Sequence, residues 1–120
     1  MANPNIVNVT AIYGNTSAAA LTTTNGAIVS NASGSGKIYK INSLYISNSQ
    51  GTNAADVTIE HVAGATRIPL ASTITVIADS TLVLITKDTA LYLMENQTLN
   101  GVANAATHLN YLCSWDEINA

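Results

Sequence analysis

Residues 37–47, KIYKINSLYIS, form the longest β-forming run of the chain and give the first indication of its fold. Apolar residues recur every second position over most of this run, which is typical of a strand that buries one face. The apolar phase changes around Asn42 and Ser43, and this predicts a bulge or bend within the strand. The preceding stretch, residues 31–36, is rich in Gly and Ser, so we interpret it as a turn that leads into the strand.

The rest of the chain repeats this arrangement of short apolar runs separated by turn residues. Further predicted strands cover residues 6–12, two runs on either side of residues 25–26, and residues 56–60, 67–70, 74–77, 81–86, 90–94, 99–103 and 108–118. Many short strands at intervals of about 8 to 12 residues are typical of a sandwich or barrel. We therefore expect an all-β fold, a single antiparallel β-sandwich (jelly-roll or immunoglobulin-like) of about eight short strands.

Several local signals add detail to this prediction. Tyr13-Gly14-Asn15 is expected to end the first strand, and Asn25-Gly26 is expected to form a tight hairpin turn. Val57 and Ile59 should face the core, with His61 in the same phase at the core edge. Pro69 favours an edge strand because proline cannot donate a backbone hydrogen bond to a neighbour.

Length and composition suit one domain. We expect residues 1–120 to form a single β-sandwich domain, with residues 1–9 able to act as an extended N-terminal arm.

Charged residues make up 9% of the chain, against about 25% in an ordinary soluble protein. Such a weakly charged exterior keeps free monomers apart poorly, so we expect much of it to be buried against neighbours in an assembly.

The charge pattern excludes some partners. The net charge is −3, and the four basic residues are too scattered to neutralise a phosphate backbone, so no nucleic-acid partner is expected. The apolar runs are far shorter than the roughly 20 residues of a membrane span, so no membrane partner is expected. The opening MANPNIVNVT lacks the pattern of a signal peptide, and with a single cysteine the protein is expected to fold in the reducing host cytoplasm.

The Gly34, Gly36 and Lys37 pattern resembles the end of a phosphate-binding loop but lacks its chemistry. The motif needs a leading Gly, where this chain has Asn31, and a Ser or Thr after the Lys, where it has Ile38. A helix should follow the motif, but a strand is predicted here. We therefore predict no cofactor.

The candidates for metal binding or catalysis are few. The soft ligands His61, His108 and Cys113 do not lie at a recognised spacing, and Cys113 is expected to be a buried small hydrophobe. Among the other candidates, the acidic residues are expected to face opposite sides of a strand or to stabilise turns, and the aromatic residues to pack in the core. These residues are Asp116 and Glu117, Asp79 and Asp88, and Tyr111 and Trp115. We therefore predict no catalytic residue and no metal site.

Several stretches resemble a group of small virion proteins from tailed phages of marine bacteria, including cyanobacteria. The most distinctive are GTNAADVTI (residues 51–59), ADSTLVLITKD (residues 78–88) and SWDEI (residues 114–118). The resemblance runs through nearly the whole chain and includes no catalytic motif. It implies a non-enzymatic capsid decoration protein that binds the major capsid protein or other virion proteins on the phage head. Residues 61–67, HVAGATR, form a shorter loop than the family pattern has.

Two other functions fit the same features: a neck, tail or fibre accessory protein, and a carbohydrate-binding or adhesive β-module. In the virion interpretation the chain is expected to form a homo-oligomer, with a trimer favoured as the simplest closed ring. Residues 2–9 alternate between polar and apolar, so we expect this arm to add as a strand to a neighbour's sheet. If deletion of residues 1–9 changed neither the oligomeric state nor particle binding, this expectation would be wrong.

Overall fold

The computed structural model describes residues 7–119 as two antiparallel sheets. No α-helix forms within these residues. The strands are β1 (Ala11–Ala20), β2 (Gly26–Asn31), β3 (Lys37–Asn48), β4 (Ala55–Ala63), β5 (Thr66–Val76), β6 (Thr81–Ile85), β7 (Leu91–Leu93), β8 (Gln97–Ala103) and β9 (Leu109–Asn119), with a short 3-10 turn at Lys87–Thr89. The expected all-β sandwich is confirmed. Residues 1–6 of the predicted arm lie outside the described residues.

The chain alternates between the two sheets. One sheet has the order β1-β9-β3-β6, with β7 also beside β3, and the other has the order β2-β8-β4-β5. Most connections therefore cross the sandwich, whereas β4 and β5 form a hairpin through the two-residue turn Gly64-Ala65. Gly64 has a φ of 62°, which glycine adopts without strain, so the shortened loop seen in the sequence is a tight turn.

The core fills the space between the sheets with aliphatic side chains. Its fully buried members come from strands of both sheets: Ile41, Leu44, Ile46, Val57, Ile59, Leu93, Leu99, Leu109 and Cys113. As predicted, Val57 and Ile59 face inward, while Tyr111 and Trp115 pack partly buried against this cluster. The alternation of apolar residues along each strand therefore decides which face is buried.

Two local predictions are confirmed. The register between β3 and β9 shifts between Ile41 and Ser43, which places a bulge at Asn42. Pro69 lies in β5, an outer strand of the four-stranded sheet. In both cases the signal acts within a few residues, so the sequence carries it directly.

The predictions for residues 13–15 and 25–26 are wrong. Tyr13-Gly14-Asn15 lies inside β1, which begins at Ala11 and continues to Ala20 because it pairs with β9 throughout. Asn25-Gly26 forms no hairpin turn, because β1 and β2 belong to different sheets and neither residue has a positive φ. Leu21 instead enters the core, and the chain crosses the sandwich after it.

Candidate interaction surface

The glycine turn before β3 is stabilised by the chain's own side chains. Gly34 and Gly36 have φ values of 73° and 69°, which confirms the turn. The Gly36 N–H donates to Glu95 Oε1 at 2.7 Å, and Lys37 Nζ lies 3.3 Å from Glu117 Oε2. Carboxylates thus occupy the donors that would face a phosphate, so this turn is a poor site for a nucleotide.

The candidate metal ligands lie in separate places. His61 is half-buried on β4, where its Nε2 lies 3.1 Å from Gln97 Oε1. The His108 Nδ1 is 2.8 Å from the Ala106 carbonyl oxygen, just before β9. Cys113 is fully buried, as predicted, and burial raises the pKa of its thiol to about 12. Within residues 7–119 no three His, Cys, Asp or Glu side chains converge as a metal site would require.

The acidic candidates are also separate. Asp79, with a φ of 57°, lies in the turn before β6, and Asp88 lies in the 3-10 turn. Asp116 is in register with Lys40 on the neighbouring strand. Burial raises the pKa of the Tyr39 phenol, and the nearby Glu117 carboxylate raises it further. Asp79 and Asp88 thus lie in turns and Glu117 pairs with Lys37, so these groups do not form a pair of facing carboxylates.

A small cavity lies where the chain crosses from β1 to β2. Its volume is about 150 Å³, and its walls come from residues 19–22, 24, 26–28, Gly101 and Tyr111. Charged side chains are absent from these walls, and Tyr111 is their single titratable group. The walls offer the hydroxyls of Thr22, Thr24 and Tyr111, but they include no His, Cys, Asp, Glu or Lys side chain that could activate one of them.

The outward side of the five-stranded sheet carries an uncharged surface that spans four strands. Three rows of side chains cross it from β1 to β3, and two of them continue onto β6. We call this surface the outer face; it consists of Ala18, Leu112, Tyr45 and Val83 in the central row, Ala20, Asn110, Ser47 and Thr81 on one side, and Thr16, Ser114 and Ser43 on the other. None of these side chains is charged.

The central row exposes large apolar groups. Tyr45, Leu112 and Val83 are 36%, 41% and 50% exposed, although their strand neighbours Leu44, Ile46 and Cys113 are fully buried. With strands about 4.8 Å apart and about 3.4 Å per residue, the outer face covers roughly 400 Å². Large apolar side chains that are exposed side by side on a monomer often mark a functional surface. The outer face is therefore a candidate interaction surface.

Part of the outer face can be predicted from the sequence. The phase of residues 108–118 places Leu109 and Cys113 inward, and it follows that Leu112 faces outward. No local signal indicates that Leu112 lies between Ala18 and Tyr45, because these residues come from distant parts of the chain. The sequence prediction therefore missed the outer face as a unit.

Comparison with known proteins gives similarities of fold. No protein-family model and no curated protein sequence matches this chain. A solved structure of a protein from Bacillus endospore appendages, described as a novel family of disulfide-linked pili, matches with a TM-score of 0.56 and 19% identity, over 99% of this chain and 96% of that chain. That likeness shows the fold alone.

Two structures of a pentameric capsid protein from metagenomic phage sequences match more loosely. Their TM-scores are 0.45 and 0.44, at 18% and 16% identity. Each match covers 87% of this chain and 62% or 60% of the capsid protein. Among residues 7–119, no helix is long and apolar enough to cross a membrane.

Proposed function

We propose that this chain is a non-enzymatic virion protein that coats the outer surface of a phage head. The observation that carries the proposal is the outer face, an uncharged surface with an exposed apolar row. A protein that stays free in solution usually covers such a surface with charge. The sequence resemblance to small phage virion proteins supplies the kind of particle, and the scattered titratable groups supply no competing chemistry.

The partner under this proposal is the major capsid protein. A single outer face of roughly 400 Å² is about half of what each partner buries in a stable pair. Attachment at many equivalent sites, or through more than one copy, strengthens such a contact without enlarging it. A regular capsid lattice offers repeated sites of this kind, and a homo-oligomer of this chain could occupy several of them.

A pilus-like role is less well supported. The Bacillus appendage protein belongs to pili described as disulfide-linked. In this chain the one cysteine, Cys113, is fully buried in the core, where it cannot reach a neighbour's thiol. A neck, tail or fibre position in the same virion remains the second candidate, because the resemblance extends to proteins that join parts of the particle.

Binding to particles tests the proposal. Purified phage particles that lack the chain are incubated with the recombinant protein, and the bound amount is measured after sedimentation of the particles. We expect saturable binding by the natural chain. The double variant Tyr45→Ser, Leu112→Ser should bind about tenfold more weakly or worse, because central apolar anchors carry most of the binding energy of an interface.

The matched control is Ile68→Ser on the other sheet. Ile68 is 56% exposed, so this change removes an apolar side chain that is more accessible than Tyr45 or Leu112 and lies outside the outer face. It should leave binding unchanged. Equal loss of binding in both variants would contradict a role for the outer face, and no binding by the natural chain would contradict the head-coating function.

A further inference from the structure

The open edge of the five-stranded sheet offers a second surface for recognition. β1 is the outer strand there, and its ten residues pair with β9 in an unbroken register. In such a ladder every second residue turns its N–H and C=O away from the neighbouring strand. The Leu21 N–H continues the register by donating to the Leu109 carbonyl at 2.8 Å. The outward groups therefore belong to the even-numbered residues Ile12, Gly14, Thr16, Ala18 and Ala20.

The other outer strands in residues 7–119 have features that block pairing. β5 contains Arg67 and Pro69, and two register shifts interrupt its pairing with β4. β2 and β6 are shorter, and each has a register shift. β7, which pairs only with β3, has just three residues. Charges, prolines and bulges are the usual protection of an exposed edge.

β1 lacks all of these protective features. Its sequence, AIYGNTSAAA, contains no charged residue and no proline. A long, regular and unprotected edge readily adds another strand. This difference indicates that β1 is covered in the assembled protein.

We propose that β1 pairs antiparallel with β1 of a second copy across a two-fold axis perpendicular to the sheet. The proposal rests on the structural role above and names the contact between copies. Such an axis keeps each side chain on its own face, so residues of equal parity lie opposite one another and the outward backbone groups meet. Centring the axis at Thr16 pairs all five outward-facing residues, from Ile12 to Ala20.

The side chains of β1 fit this register. The first half of the strand carries the large residues Ile12 and Tyr13, and the second half is Ala18-Ala19-Ala20. With Thr16 at the axis, each Ile12 lies opposite an Ala20 and each Tyr13 opposite an Ala19. Large residues thus oppose small ones, and no like charges meet.

The dimer also changes the outer face. Because the axis is perpendicular to the sheet, the outer faces of both copies lie on the same side of one continuous sheet. Their combined area is roughly 800 Å², the size that one partner of a stable interface contributes. A two-fold dimer, in place of the trimer favoured from the sequence, therefore presents a sufficient surface to a capsid.

The test replaces Thr16, the residue at the proposed two-fold axis, with a charged residue. The isolated Thr16→Lys and Thr16→Glu variants are each examined by sedimentation velocity over a range of concentrations, beside the natural chain. We expect the natural chain to form dimers. Each variant should have a dimer dissociation constant at least about tenfold higher, because like charges then face each other across the axis. Mixing the two variants should restore dimers, because the introduced ammonium and carboxylate face each other only in a two-fold contact.

The control variants separate this contact from others. Ser30→Lys introduces the same charge on the β2 edge and should leave dimerisation unchanged. Ala18→Pro removes one outward N–H and should weaken the dimer while circular dichroism shows a folded chain. A monomeric natural chain, a natural trimer, or a failure of the mixture to dimerise would each overturn the proposal. Because the measurement needs no phage particle, its failure is distinct from failure of the head-coating function.

Discussion

The surroundings of Gly101 show how closely the core is filled. A Cβ atom at this position would lie 2.9 Å from Ile28 Cδ1 and 3.0 Å from both Ile59 Cδ1 and Leu21 Cδ2. All three atoms are the ends of buried side chains, so a Cβ atom here would require these ends to shift. The small cavity beside Leu21 and Ile28 gives two of them some room, whereas Ile59 is fully buried. Glycine therefore lets β2, β4 and the β1–β2 crossover meet β8 at this point without such a shift.

We predict that Gly101→Ala destabilises the fold by about 1–3 kcal/mol, the usual cost of overpacking a core. Urea unfolding checks this as a lower transition midpoint. Gly51→Ala is the control, because a Cβ there has only Asp79 Oδ2 at 3.9 Å nearby. It should shift stability by no more than about 0.5 kcal/mol. Equal midpoints for the two variants would show that the core near Gly101 relaxes easily.

Burial of Cys113 predicts a dependence of stability on pH. The folded thiol has its pKa raised to about 12 from an ordinary value of 9.0, because burial disfavours the thiolate. The unfolded chain thus releases this proton at lower pH than the folded chain. The stabilising contribution is complete below pH 9 and is lost as pH rises towards about 12.

The free energy of unfolding, measured in urea at several pH values above 9, should therefore fall as pH rises. Cys113→Ala should reduce this slope. A smaller slope should remain, because the pKa of Tyr39 is also raised. An unchanged slope in Cys113→Ala would contradict the assignment to this thiol.

At the scale of the strands, two buried asparagines join the sheets. Asn31 Nδ2 donates to the carbonyls of Lys37 and Leu93 at 2.9 and 3.0 Å, which ties the end of β2 to β3 and β7. Asn48 Nδ2 donates to the carbonyls of Asn53 and Val76 at 3.0 and 2.9 Å, which ties the end of β3 to β5. Each side chain thus satisfies carbonyls where the chain leaves a strand.

We predict that Asn31→Ala and Asn48→Ala each lower the free energy of unfolding by about 2–3 kcal/mol, at about 1 kcal/mol for each lost hydrogen bond. Asn25→Ala is the control, since its side-chain hydrogen bond to Glu60 is exposed. It should cost about 0.5 kcal/mol or less. Urea unfolding of the three variants gives the comparison, and equal losses would contradict a special role for the buried pair.

The strands also show which features a sequence can predict. The bulge at Asn42 and the edge position of Pro69 follow from signals within a few residues. The extent of β1 does not, because Ala11 pairs with Asn119 at the far end of the chain and this pairing holds residues 13–15 in a strand despite their turn-like composition. The hairpin prediction at Asn25-Gly26 is wrong for the same reason, because pairing with distant strands places β1 and β2 in different sheets.

For the whole molecule, the structure shows where the weakly charged part of the surface lies. The sequence predicts a surface that neighbours cover, but composition cannot say which surface. In the structure, the uncharged residues meet on the outer face, and Lys40 and Asp116 lie in the row beyond Ser43 and Ser114. Four strands from distant parts of the chain form this face, so its prediction requires the sheet order as well as the alternation.

The copy number of this chain in purified phage particles, measured by quantitative mass spectrometry against the major capsid protein, is the decisive test of the head-coating function. A coat of the head predicts a fixed ratio of the same order as the major capsid protein. A handful of copies per particle would contradict a head coat and favour the neck or tail. Complete absence from the particles would contradict a virion role altogether.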